Sequence, residues 1–385
     1  MDFEFSKDQD MIRETVKKFL ENECPKDKVR ELMNSETGHD PEMWKKMTEM
    51  GWMGIYIPEE YGGTGGEYLD LMIILEEMGR NLFPAPFFST IALCSIPIIK
   101  FGTAEQKKTI LSRIAMEGEI WTLALTELSS SYGASEIEME ASLEGDEYVL
   151  NGTKMFVPYA NVTDNFLVVA RTSNKETAED GITIFIVDAK SPGINLTMIP
   201  TTAHNMRFEV KFNNVKVPQS NILGEKDKGW NIIEYILQYA TILKCAEMSG
   251  GAEAVLELSN NFSKERIQFD KPIGSFQAVQ HKLVDMLTES DGLKFLTYEA
   301  AWKINIGSPS NMLISMAKAK ANNAYQRLCI EGIQIYGAIG FTDEMDIGLY
   351  HLQSKSLEFD LGSTEFHREK IINELENQKP LFLSI

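Results

Sequence analysis

The parts of this 385-residue chain that could carry chemistry are five histidines, four cysteines, several glycine-rich turns and one dense block of mixed residues. The histidines show no H-x-x-x-H or H-E-x-x-H spacing, so no metal site is predicted. Cys24, Cys94, Cys245 and Cys329 lie far apart with no C-x-x-C pair. That spacing argues against zinc and against a disulfide framework, and reads as buried free thiols in a reducing cytoplasm. The glycines of Ile57-Pro-Glu-Glu-Tyr-Gly-Gly-Thr-Gly-Gly66 suit turns with positive φ. As a phosphate loop the segment is weak, lacking both the Lys-Ser/Thr ending and a clear preceding strand. The most informative block is Arg266-Ile-Gln-Phe-Asp-Lys-Pro-Ile-Gly-Ser-Phe-Gln277, followed by Leu283-Val-Asp-Met286. Its guanidinium suits either a phosphate or a surface carboxylate.

Those residues need elements to position them. The length exceeds one hydrophobic core, so two or three domains are expected. Hydrophobic content of 43% and charged content of 24% are those of an ordinary soluble globular chain. No run of ~18 apolar residues predicts a membrane-spanning helix. The start, Met1-Asp-Phe-Glu-Phe-Ser, lacks the basic and apolar regions of a secretory signal, and a cytoplasmic location is expected. A net charge of −20 repels nucleic-acid phosphates and anionic lipid surfaces, so neither nucleic acid nor membrane is an expected partner.

Residues 1–120 read as an N-terminal helical domain. Ser6-Lys-Asp-Gln9 is a capping box before Met11, Ile12, Val16, Phe19 and Leu20 at helical spacing. Residues 121–229 read as a middle β-barrel or sandwich. Its strands are Phe166–Arg171, Ile182–Val187 and Phe208–Phe212, with Asn151-Gly152, Pro192-Gly193 and Asn213-Asn214 as turns. Residues 230–385 return to helical periodicity and predict a four-helix bundle, with Ser249-Gly-Gly251 inside one helix for close packing. The fold class is α+β, mainly α. The apolar tail Lys379–Ile385 reads as a docking segment or a frayed end.

The block at 266–286 resembles the R-x-x-F-x-x-P-[IL]-x-x-x-Q…L-[AV]-[DE]-M signature of the acyl-CoA dehydrogenases, and the helix–β–helix order resembles that family over essentially the whole chain. Leu125-Thr-Glu127 followed by Gly133 resembles its T-E-P-x-x-G-S-D segment, with Leu128 for the proline and Ser131-Tyr132-Gly133 at G-S-D. The resemblance implies that Leu125 and Thr126 hydrogen-bond the flavin pyrimidine edge. Leu150–Phe156 resembles N-G-x-K-x-[WF], which implies that Phe156 shields the flavin ring; Pro158 replaces the hydroxyl residue two positions on. Val217-Pro218, Asn221–Gly224 and Gly229 resemble the family's exit from the β-domain. Gln334-Ile-Tyr-Gly-Ala-Ile-Gly-Phe341 resembles Q-[IVL]-x-G-G-x-G-[FY], which implies that Gln334, Gly337 and Ala338 hold the FAD pyrophosphate and adenine with Arg266, Phe269 and Gln277. Ser363 and Glu365 fall at cofactor-side positions. FAD, an acyl-CoA substrate, an electron-transfer flavoprotein and a homotetramer or a hetero-oligomer with a paralogue are the implied cofactor and partners.

One implied residue is absent. The family removes the thioester α-proton with a glutamate, usually in Y-E-G-[TS]. Aligning Gly362-Ser363 to G-[TS] puts Leu361 at the glutamate and Asp360 at the tyrosine. A minority of members carry the glutamate earlier, before an arginine; those positions align with Ala240 and Thr241. Three readings stay open: a relocated carboxylate, with Asp360 or Glu247 as candidate; a changed reaction, such as vinylogous dehydrogenation of a cyclic enoyl thioester; and a non-catalytic subunit. A flavin monooxygenase on this fold would also lack the glutamate. Asp360 could equally be an ordinary capping residue.

Overall fold

The computed structural model describes residues 5–129, 132–173 and 177–377. Ser131 and the tail Lys379–Ile385 lie outside the described residues. Contacts divide the chain into two units: a helical unit of residues 1–29, 68–83 and 241–385, and a β-containing unit of residues 30–67 and 84–240.

In the helical unit the named helices are α1 (Lys7–Glu23), α2 (Tyr68–Asn81), α3 (Gly229–Glu265, counted here from Thr241), α4 (Gln277–Asn305), α5 (Asn311–Tyr336), α6 (Ile347–Phe359) and α7 (Thr364–Asn377). Helix α1 begins at the expected capping box: the Ser6 hydroxyl accepts from Gln9 N, and the Gln9 side chain accepts from Ser6 N. Val16 and Leu20 are buried on its inner face, whereas Met11 is 60% exposed, off the stripe to which its spacing assigned it. Helices α2 and α3 cross at glycines. A Cβ on Gly250 would stand 1.8 Å from the Glu76 carbonyl oxygen, and one on Gly79 would stand 1.9 Å from the Glu247 carbonyl oxygen. The Gly250-Gly251 pair therefore permits backbone-to-backbone packing that a side chain would prevent, as its position inside a helix predicted.

In the β-containing unit the strands are β1 (Trp121–Ala124), β2 (Glu140–Glu144), β3 (Glu147–Pro158), β4 (Asn165–Arg171), β5 (Ile182–Asp188), β6 (Ile194–Met198), β7 (Arg207–Pro218) and β8 (Ile222–Leu223). They form one sheet in the order β6-β7-β3-β2-β4-β5-β8, with β1 parallel to β4. Its buried side chains include Tyr148 against Phe185, with ring centroids 5.0 Å apart, and Phe166 against Phe212, 6.0 Å apart.

Two of the predicted turns are not turns. Strand β3 runs unbroken through Asn151-Gly152, and β7 runs unbroken through Asn213-Asn214. The two pairs face each other as a bulge between the registers Leu150↔Val215 and Gly152↔Phe212, with Asn214 at φ 52°. Asn151 Oδ1 accepts from Asn214 N at 2.8 Å. Asparagine tolerates the left-handed region, so the same local preference that makes turns here makes a bulge. The hairpin turn between β2 and β3 is Gly145-Asp146, with Gly145 at φ 64°. Pro192-Gly193 does form a turn between β5 and β6.

Candidate active site

A second bulge on β3 lies between Lys154↔Val210 and Val157↔Phe208. It places Phe156 at φ 55°, a conformation that costs an L-residue about 1 kcal/mol. The ring is 44% exposed, so this aromatic is no part of the sheet's core. The bulge instead re-aims it outward. Beside it, Met155 N donates to the Thr126 carbonyl at 2.8 Å, tying the 125–127 segment to the bulged strand.

A buried ion pair fixes the same junction. Lys154 is fully buried, and its Nζ donates to Glu127 Oε1 at 2.5 Å and to the Leu125 carbonyl at 3.1 Å. The Glu127 carboxylate also accepts from Glu138 N and Met139 N, each at 3.1 Å. Burial brings the Lys154 ammonium down to about 8 against the opposing pull of Glu127. Sequence reading assigned no role to either residue, although both lie inside the segments it singled out.

In the helical unit, Ile267–Gln268 (β9) and Lys271–Pro272 (β10) form a hairpin whose two turn residues, Phe269 and Asp270, have φ 52° and 62°. This is the geometry of a type I′ turn, made here without glycine. Phe269 is 85% exposed on it. Arg266, Gln277 and Gln334 are exposed, and no protein group hydrogen-bonds or ion-pairs their side chains among the described residues. Gly337 (φ 69°, ψ −146°) ends α5 in a conformation open essentially to glycine alone, and a Cβ there would meet nothing within 4 Å. Ala338 follows it, exposed, in a short 3-10 turn.

The segment expected to carry the base, residues 360–363, joins α6 to α7. Leu361 has φ 63° and Gly362 φ 117°. A Cβ on Gly362 would stand 2.4 Å from the Phe366 ring, so only glycine fits. Three buried side chains hold this strained turn. Lys318 Nζ donates to the Leu357 and Glu358 carbonyls at 3.0 and 3.1 Å, capping the C-terminus of α6, and to Asn322 Oδ1 at 2.5 Å. Asn322 Nδ2 donates to the Gly362 carbonyl at 3.4 Å. His367 Nε2 lies 3.0 Å from the Leu361 carbonyl, which requires that nitrogen to carry the proton. Burial, reinforced by Lys318, drives His367 down to about 3, so it is neutral, and its buried Nδ1 has no partner among the described residues. Ser363 caps α7 by accepting from Phe366 N at 3.3 Å, and Glu365 is exposed in the first turn.

Both sequence-predicted carboxylates converge on one lysine. Lys244, with a side chain only 5% exposed, reaches Glu247 Oε2 at 2.5 Å and Asp360 Oδ2 at 3.7 Å. Asp360 is the C-cap of α6, where the helix dipole disfavours a negative charge. Lys244 and the neighbouring Lys318, itself brought down to about 8 mainly by burial, offset that. Ala240 and Thr241 are buried and supply no carboxylate.

Each unit offers groups of the kind that one part of a dinucleotide flavin needs. In the β-containing unit, a half-buried Thr126, whose side chain has no protein hydrogen bond among the described residues, lies in the segment tied to an outward-aimed aromatic, Phe156. In the helical unit, Arg266, Gln277 and Gln334 carry side-chain donors with no protein partner among the described residues, and the Gly337 backbone is open to close approach.

Comparison with known proteins shows the family. The chain matches the family descriptions "Acyl-CoA dehydrogenase, N-terminal domain" over residues 6–118, "middle domain" over 122–215 and "C-terminal domain" over 227–375. It is 34% identical to "Probable acyl-CoA dehydrogenase YngJ" of Bacillus subtilis (strain 168), covering 97% of this chain and 100% of that one. It is 31% identical to the "Caffeyl-CoA reductase-Etf complex subunit CarC" of Acetobacterium woodii, covering 89% and 91%. The solved structure of butyryl-CoA dehydrogenase from Megasphaera elsdenii superposes with a TM-score of 0.91 at 28% identity, covering 98% and 100%. The chain belongs to the acyl-CoA dehydrogenase family, oxidoreductases that act on CH–CH bonds with FAD as their cofactor.

Proposed function

We propose that this chain catalyses FAD-dependent dehydrogenation of an acyl-CoA thioester, with Asp360 in place of position 361 as the proton acceptor. One observation carries the reading: Leu361 has no proton-accepting group, while the carboxylate next to it is held close to the buried Lys244. Leu125, Thr126 and Phe156 would hold the flavin ring. Arg266, Phe269, Gln277, Gln334, Gly337 and Ala338 would hold the pyrophosphate and adenine, with Ser363 and Glu365 on the cofactor side. Bound there, flavin supplies a two-electron acceptor at N5.

The remaining work belongs to the chain. An Asp360 oxygen takes the proton from the thioester α-carbon, the electrons of that C–H bond become the new double bond, and the β-hydrogen departs as hydride. The turn held by Lys318, Asn322 and His367 fixes the 361 backbone, whose N–H would polarise the thioester oxygen even though the side chain there is leucine. In reverse, the same carboxylate returns a proton to the α-carbon, the direction named for the Acetobacterium woodii relative. That relative's name also supports an electron-transfer flavoprotein as the redox partner.

The test is anaerobic titration of the purified holoprotein with linear, branched, alicyclic and cyclic-enoyl CoA thioesters, following the flavin absorbance. Bleaching by one class is expected and names the acyl shape. No bleaching by any of them at full FAD occupancy overturns the reading and leaves a non-catalytic subunit or an oxygen-using flavoenzyme.

A further inference from the structure

Lys244 stands in an otherwise apolar stretch of α3, between Ile242, Leu243, Cys245 and Ala246, all buried. A lysine there is costly unless it is paired. It has two carboxylates within reach, Glu247 at 2.5 Å and Asp360 at 3.7 Å. We infer that Lys244 and Glu247 are positioning residues that set the proton affinity of Asp360: Glu247 takes up most of the lysine's charge, so that Asp360 faces a nearly neutral pair and not a bare cation. The catalytic consequence rests on Asp360 being the base, but the charge coupling does not.

Charged and titratable groups reach Asp360 from several elements. Helix α3 contributes Lys244 with its partner Glu247, and α5 contributes Lys318, whose Nζ is taken up by Asn322 and two carbonyls. Its own helix contributes Glu358, which accepts from the Gln326 side chain, and α7 contributes His367, which is neutral. Lys318 is therefore held in place by the turn it caps, and the Lys244–Glu247 pair is the adjustable element. A carboxylate facing an uncompensated ammonium holds its proton less tightly, and one facing an uncompensated carboxylate holds it more tightly. Neutralising the two partners must then move Asp360 in opposite directions. A pair that merely braced the helices would not do this.

The experiment is an infrared pH titration of the carboxyl band that Asp360→Asn removes, made on the full-length protein, together with the pH profile of flavin reduction in the holoenzyme. Glu247→Gln should shift the titration down by about one pH unit, and Lys244→Met should shift it up by about one unit. Lys244→Arg, which keeps the charge, should restore the wild-type midpoint. If Lys244→Met fails to retain FAD, Lys244→Gln takes its place, and the downward shift in Glu247→Gln alone still decides the sign. Shifts of the same sign, or none, overturn the inference. Flavin reduction that persists in Asp360→Asn overturns the base assignment instead, and leaves the infrared result standing.

Discussion

Replacing Glu127 by glutamine should unsettle the β-containing unit by an amount the structure lets one work out. Burial brings the Lys154 ammonium down to about 8, so at pH 7 its ionisation in the folded state is worth about one pH unit, or on the order of 1 kcal/mol. Without the Glu127 charge, that lysine folds neutral and loses this amount and no more, because shedding its proton is always open to it. Glu127 also accepts from Glu138 N and Met139 N, and exchanging charge-assisted for neutral acceptance there adds about 1.5 kcal/mol. The total is about 3 kcal/mol at pH 7, at the lower edge of what breaking a buried pair usually costs. The lysine share has a definite sign with pH. Its folded value lies below its ordinary 10.5, so the unfolded chain binds more protons between about pH 8 and 10.5 and stability rises with pH there. Above about pH 8 the wild-type lysine is neutral as well, so the gap between wild type and variant should narrow by on the order of 1 kcal/mol. Urea unfolding of the apoprotein followed by tryptophan fluorescence reads this unit selectively, since Trp44, Trp52, Trp121 and Trp230 lie in it and only Trp302 does not. A loss below about 1 kcal/mol, or one unchanged between pH 7 and 9, would refute the reasoning.

Phe156→Asn keeps a residue that accepts positive φ, so the apoprotein should unfold within about 0.5 kcal/mol of wild type while FAD dissociates roughly tenfold more readily, measured by ultrafiltration of bound flavin. Gly250→Ala drives a methyl into the Glu76 carbonyl and should destabilise the helical unit by more than about 2 kcal/mol in thermal or urea unfolding. Lys318→Met removes a group whose folded value, about 8, lies below its ordinary one. The wild type's gain in stability from pH 8 to 9 should therefore shrink by about 1 kcal/mol in that variant, measured as paired urea midpoints.

The signature at 266–286 and the order of helical and β textures carried the fold, because both depend on local spacing. What sequence reading missed depends on register and on distant partners. Asn151-Gly152 and Asn213-Asn214 each have turn chemistry, but paired across β3 and β7 they settle as a bulge, and only the register reveals that. Phe156 was singled out, yet its outward aim comes from a second bulge that no periodicity announces. The clamp on the 361 turn joins Lys318 and Asn322 to carbonyls about forty residues away. Lys244 did leave a trace, since a lysine three residues before a glutamate in an otherwise apolar helical run is the pattern of a buried pair. Glu247 was singled out as a lone carboxylate, without the partner that gives it a role.

Exchange of the thioester α-proton with deuterated water, read by mass spectrometry of the recovered acyl group, isolates the base from hydride transfer. With a thioester that bleaches the wild-type flavin, the wild type should incorporate deuterium at the α-carbon. Asp360→Asn should lose at least about a hundredfold in that rate with its FAD content unchanged. Exchange at the wild-type rate in Asp360→Asn would contradict the assignment of Asp360 as the proton acceptor.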